Sequence, residues 1–114
     1  MIDSTLRRSE MASLRLDKWL WFTRFCKTRA LAQKAIERGQ VTVNGKVVEK
    51  TSTTVRPGDR LEIVLGSFKH RVLVRGLGER RGPASEARAL YEETAPPERL
   101  DPLAAALPLR IPLN

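Results

Sequence analysis

Residues 15–45 read RLDKWLWFTRFCKTRALAQKAIERGQVTVNG, and two different periods meet in that stretch. Leu16, Trp19, Leu20 and Thr23 recur at the three-and-four spacing of one helical face, which predicts a helix over 15–26. Asp17 falls in its first turn, where a negative charge complements the helix dipole; a salt bridge to Arg15 or Lys18 is a second plain role for it. Thr28 suits the N-cap of a second helix over 29–38, with Ala32, Ala35 and Ile36 as its apolar face and Leu31 beside them. Arg29 and Gln33 lie one turn apart, as do Lys34 and Arg38, and these polar pairs project away from the apolar face. Gly39 is the expected left-handed stop. The period then changes to two. Val41 and Val43 alternate with polar residues, Asn44-Gly45 is a strong hairpin-turn signal, and Lys46, Val47 and Val48 return.

Further along, residues 49–54 are polar and loop-like, and Arg56-Pro57-Gly58-Asp59 is a second turn. Leu61, Ile63 and Leu65 alternate as a strand, Gly66-Ser67 turns the chain, and 68–75 forms a further strand with Val72 and Val74 on one face. Pro83 suits the first turn of a helix over 84–94 that carries Ala87, Leu90 and Tyr91 on one side. Pro96, Pro97, Pro102, Pro108 and Pro112 argue against any persistent element over 95–114, apart from a short turn near Leu103 to Leu107. On the other side, residues 1–13 show no sustained period and read as a flexible leader. Met11 is itself a candidate start, which leaves open whether the first ten residues are native. The expected fold is α+β: two N-terminal helices packed on a small, mostly antiparallel sheet, then a C-terminal helix. The domain spans 14–94, followed by a Pro-rich neutral tail over 95–114.

Charge narrows the function. The 114 residues carry 21 Lys+Arg against 13 Asp+Glu, a net charge of +8, and a folded domain this basic attracts polyanions. The excess is local. Residues 15–50 hold nine basic and three acidic side chains, a net +6, whereas residues 95–114 hold two of each and are neutral. Four of the six aromatic residues, Trp19, Trp21, Phe22 and Phe25, lie in the same stretch, where an exposed ring could stack on an unpaired base. One Cys, Cys26, and one His, His70, supply neither a disulfide nor a Cys/His metal cluster. Cys26 reads as a small, partly buried filler and His70 as a surface residue of a strand. There is no P-loop, no dinucleotide glycine fingerprint and no paired acid–base constellation, so neither catalysis nor a cofactor is expected. No secretory signal and no run of ~20 apolar residues is present, which makes a cytosolic location the expectation.

Four separated pieces carry a resemblance. Arg15-Leu16-Asp17-Lys18-Trp19-Leu20, Lys27-Thr28-Arg29-Ala30, Ile36-Glu37-Arg38-Gly39 and Val43-Asn44-Gly45 occur in the order and spacing of the αL motif, the RNA-binding domain first described in the fourth small-subunit ribosomal protein. A narrower set extends the match to about 15–94. Arg15 to Trp21, Phe25 to Arg29, Arg81-Gly-Pro-Ala-Ser-Glu86 and Leu90-Tyr-Glu-Glu-Thr94 resemble the bacterial heat-shock protein 15 family. The resemblance implies a non-catalytic protein. Its expected partners are ribosomal RNA of the free large subunit, together with tRNA still carrying a stalled nascent chain, and its expected role is rescue or recycling. Members of that family usually continue into a longer basic tail; the neutral segment here puts any such tail contact in doubt.

By the αL resemblance the RNA face comprises Arg15, Lys18, Lys27, Thr28, Arg29, Gln33, Lys34, Arg38, Asn44 and Lys46; apart from the resemblance, Arg80 and Arg81 beside a Gly-rich turn, and Trp21 as a stacking ring, are candidates for a secondary contact. Arg29 is the firmest choice, because the free N–H groups of a helix's first turn also favour a phosphate. Each residue has a plainer role beside that one. Thr28 caps a helix, Asn44 and Gly45 form a turn, Trp19 belongs to a core, and any single Lys or Arg is a solvated charge. Two other functions stay open: an RNA-docking subunit of an RNA-modifying enzyme, against which chain length argues, and a protein- or membrane-surface module acting through Trp21, Phe22 and the apolar tail.

Overall fold

The computed structural model describes residues 12–100. The expected short turn at 103–107 and most of the expected leader lie outside them. The chain runs β1 (Leu14–Arg15), α1 (Leu16–Phe22), α2 (Arg29–Glu37), β2 (Val41–Val43), β3 (Lys46–Val48), β4 (Thr54–Val55), β5 (Arg60–Leu65), β6 (Phe68–Val74), α3 (Ala84–Arg88) and β7 (Tyr91–Arg99). Strands β3-β2-β5-β6-β7 form one five-stranded antiparallel sheet, and β1 pairs with β4 in a separate two-stranded tie. Leu16, Trp19 and Leu20 of α1 and Ala32 and Ile36 of α2 meet Val41, Leu61, Ile63, Val72 and Val74 in a single core. The fold is α+β, as the change of period predicts.

Helix α1 ends four residues before the expected 26. Thr23 bends its hydroxyl back onto the Trp19 and Leu20 carbonyls (2.8 and 3.3 Å), and Arg24 reverses the chain at φ 67°. The Cys26 N–H then closes onto the Leu20 carbonyl at 3.2 Å. Helix α2 keeps the expected start: Thr28 Oγ1 accepts from the Leu31 N–H at 3.1 Å, and Gly39 follows the helix at φ 72°. Leu31 departs from the expected apolar face, being 48% exposed while Ala32, Ala35 and Ile36 are buried. The β2–β3 hairpin turns on Asn44 and Gly45, both at positive φ, as a two-residue type I′ loop requires. Asn44 also locks the hairpin to the next turn. Its side-chain amide donates to Asp59 Oδ1 (3.0 Å) while its Oδ1 accepts from the Arg60 N–H (2.9 Å). Buried Trp19 satisfies its one polar atom by donating Nε1–H to the Gly76 carbonyl at 2.8 Å.

The C-terminal part corrects the sequence reading. The expected helix over 84–94 stops at Arg88, and Tyr91–Arg99 is a strand that crosses the expected domain boundary and passes through Pro96 and Pro97. Two features allow it. Strand β7 is an edge, where a missing N–H on the solvent side is harmless. The register also skips from Lys69↔Glu98 to Arg71↔Ala95, so both prolines sit in an irregularity opposite His70. Tyr91 anchors the strand, its ring 4.7 Å from that of Phe25 and edge-on to Trp19 at 6.5 Å. No helix among the described residues is long and apolar enough to cross a membrane.

Candidate nucleic-acid interface

The helix pair is organised around one buried carboxylate. Asp17 has no exposed side-chain surface, and a bare charge there would be costly. Five donors meet it. Arg15 donates Nε–H to Oδ1 and Nη2–H to Oδ2, both at 3.1 Å; Arg29 donates Nε–H to Oδ2 at 3.4 Å; Gln33 donates Nε2–H to Oδ2 at 2.9 Å; and the Lys18 backbone N–H donates to Oδ1 at 2.8 Å. Burial alone would raise this carboxyl's pKa. The hydrogen bonds from Arg15 and Gln33, with the charges of Arg29 and Arg15, outweigh it and hold Asp17 below the usual carboxylate range.

Asp17 therefore does more than complement a helix dipole. It fixes two guanidinium groups whose side chains remain 43% (Arg15) and 39% (Arg29) exposed. Both guanidinium groups are thus tied to one carboxylate while part of each side chain stays accessible, next to the helix start that Thr28 caps. A rigid cationic fork at a helix N-terminus suits a phosphate. Local sequence reasoning sees Asp17 only against Arg15 and Lys18, whereas two of its partners lie 12 and 16 residues away. The signal was the matching one-turn spacing of Arg29 and Gln33.

The remaining predicted residues divide into groups. Lys27, Lys34 and Arg38 line a groove on the other flank of α2, away from Arg29 and Gln33. Lys18 lies along its own helix, its Nζ 5.9 Å from the ring centre of Phe22 one turn ahead. Thr28 is exposed but its oxygen is engaged in the cap. Lys46 is exposed at the hairpin, and the Asn44 side chain is committed to Asp59 and Arg60. The secondary residues form a clasp. Arg81 donates Nε–H to the Trp21 carbonyl (3.1 Å) and lies 5.9 Å over that ring, Arg24 donates to the Gly82 carbonyl (2.9 Å), and Arg80 is paired with Glu86.

Charge pairing sharpens the asymmetry seen in the sequence. On the sheet, Glu62 pairs with Lys69 and Arg71, Glu98 with Arg71, and Glu92 with Arg75. By contrast Lys18, Lys27, Lys34, Arg38 and Lys46 make no ion pair among the described residues. Cys26 is buried, and burial pushes its thiol up to about 11, which fits a packing role. His70 is less exposed than a surface residue: its side chain is 22% exposed, 3.5 Å from Glu93 and against the Phe25 ring.

A fold of this kind, with its basic helix pair, defines a class. The family profile described as the S4 domain matches residues 14–61, and the chain is an RNA-binding protein of that type. It is 46% identical over 90 residues to heat shock protein 15 of Escherichia coli K12, covering 79% of this chain and 67% of that protein. It is also 40% identical over 79 residues to the RQC P-site tRNA stabilizing factor of Halalkalibacterium halodurans, covering 69% of this chain and 88% of that one. The trimeric structure of Vibrio cholerae heat shock protein 15 superposes with a TM-score of 0.69 at 39% identity, over 74% of this chain and 84% of that one. The chain belongs to the heat shock protein 15 family.

Proposed function

We propose that this protein binds ribosomal RNA of the large ribosomal subunit, together with tRNA, and acts without catalysis in the cytoplasm to rescue or recycle stalled subunits carrying nascent chain-tRNA. The observation that carries the reading is the Asp17 hub, which presents Arg15 and Arg29 as a preset fork at the start of α2. With these two we place Lys18, Lys27, Thr28, Gln33, Lys34, Arg38, Asn44 and Lys46 on an RNA face that takes in both flanks of α2, with Trp21, Arg80 and Arg81 as a secondary contact. The names of the relatives support the setting: one is heat shock protein 15, and another is a P-site tRNA stabilizing factor. The preset geometry matters because a disordered basic chain would have to be ordered on binding, at a cost in affinity.

Sedimentation of tagged protein through a sucrose gradient of cell lysate tests this reading. The protein is expected to travel with free large subunits, enriched when translation is stalled. Migration at the top of the gradient under every condition, or with small subunits alone, would contradict it.

A further inference from the structure

The groove on the far flank of α2 differs in chemistry from the Asp17 hub. It encloses about 480 Å³ between α2 and the β5–β6 turn, within the range of small-ligand pockets. Leu31, Leu65 and Phe25 supply the accessible apolar part of its lining, with buried Ala35 and Val64 beneath. Lys27, Lys34 and Arg38 also line it, and no carboxylate does. Leu31 is 48% exposed there, and Phe68, cross-strand from Leu65, is 42% exposed. With 3.6 residues per helical turn, Leu31 and Arg38 share one flank of α2, Lys34 points outward beside them, and Arg29 and Gln33 occupy the opposite flank.

A surface that meets only backbone phosphates needs cations and has no use for an exposed leucine between them. An apolar slot with a wholly cationic set of charges fits an occupant that is flat and apolar on one part and anionic on another. An unpaired nucleotide has that form, its base in the slot and its flanking phosphates on the lysines and Arg38. We infer that the groove between α2 and the β5–β6 turn is a slot for a single unpaired nucleotide of the bound RNA. The inference rests on the RNA-binding reading above and adds a mode of recognition to it: the Asp17 hub positions the backbone, and the groove selects RNA with an unstacked base beside a helix.

The test uses the full chain and two RNA hairpins, identical except that one carries a single unpaired nucleotide, synthesised as fluorescent 2-aminopurine. The unpaired nucleotide is expected to tighten binding about tenfold and to change its emission on binding. Leu31→Asn, at a half-exposed position, is expected to abolish that preference while leaving the paired hairpin's affinity within about twofold, and Leu31→Met to retain it. Equal binding of the two hairpins by the unaltered protein overturns the slot, as does a preference that survives Leu31→Asn. So does dispersal of an oligomer of this chain by Leu31→Asn with the preference unmoved, which would assign the groove to a second copy. If neither hairpin binds in a salt-dependent manner, the RNA-binding reading itself fails, and the slot with it.

Discussion

Gln33 on the second helix donates a 2.9 Å hydrogen bond to Asp17 on the first, and this contact ties the two basic helices into one surface. The carboxylate it reaches is fully buried and also holds Arg15 and Arg29. A side chain without charge thus shares one carboxylate with two that carry it.

Gln33→Leu removes that donor and leaves part of a buried carboxylate unsatisfied. We expect a loss of about 1–3 kcal/mol in unfolding free energy and a weakening of RNA affinity by about tenfold, because Arg29 loses its fixed setting. Chemical denaturation and filter binding measure the two effects. Gln33→Glu is expected to be worse on both counts, since it places a second negative charge against Asp17.

Acid stability follows from the same hub. The folded-state pKa of Asp17 is depressed, so its contribution is complete above the unfolded value of about 3.9 and is lost as pH falls through the lower folded value. Asp17→Asn is expected to be less stable than the unaltered protein at neutral pH, with the gap closing as the pH drops below about 4. Thermal melts of the two proteins across that range check the sign; a gap that widens in acid would contradict it.

Much of this was legible in the sequence because the relevant physics is local. Thr28, Gly39 and Asn44-Gly45 act on backbone groups within a few residues, and each occupies its expected place. The Asp17 hub and β7 are different. The hub depends on how two helices cross. Strand β7 depends on an edge of β6 being open to it, and that edge overrides both the short-range helical pattern of 84–94 and the breaking tendency of Pro96 and Pro97. Leu31 adjoins Ala32 in sequence, yet it lies at the rim of the apolar face and is 48% exposed beside the β5–β6 turn.

Thr28→Ala tests the helix start. Loss of the cap is expected to cost about 1 kcal/mol and to fray the first turn of α2, where Arg29 sits. Hydrogen exchange of the Leu31 amide, whose N–H the threonine oxygen accepts from, is expected to accelerate; unchanged exchange would show the cap to be unimportant.

Cys26 provides an internal reporter. With its thiol buried and raised to about 11, it is expected to resist an aromatic disulfide reagent at pH 8 in the folded protein and to react fully in denaturant. Rapid reaction in native buffer would contradict the burial of Cys26 in the core.

Phosphate contact by the helix pair is the interaction on which RNA binding here depends most. Titration of a large-subunit RNA fragment over a range of salt, with the unaltered protein and with a Lys27→Gln/Arg29→Gln double variant, measures that contact. Glutamine keeps a donor for Asp17 while removing the Arg29 charge. We expect weaker binding and a salt dependence shallower by about 2 log units per log unit of salt, with the protein still folded and its melting temperature lowered by the loss of the Arg29 charge beside Asp17. An affinity and slope identical to those of the unaltered protein would show that RNA is held by some other surface.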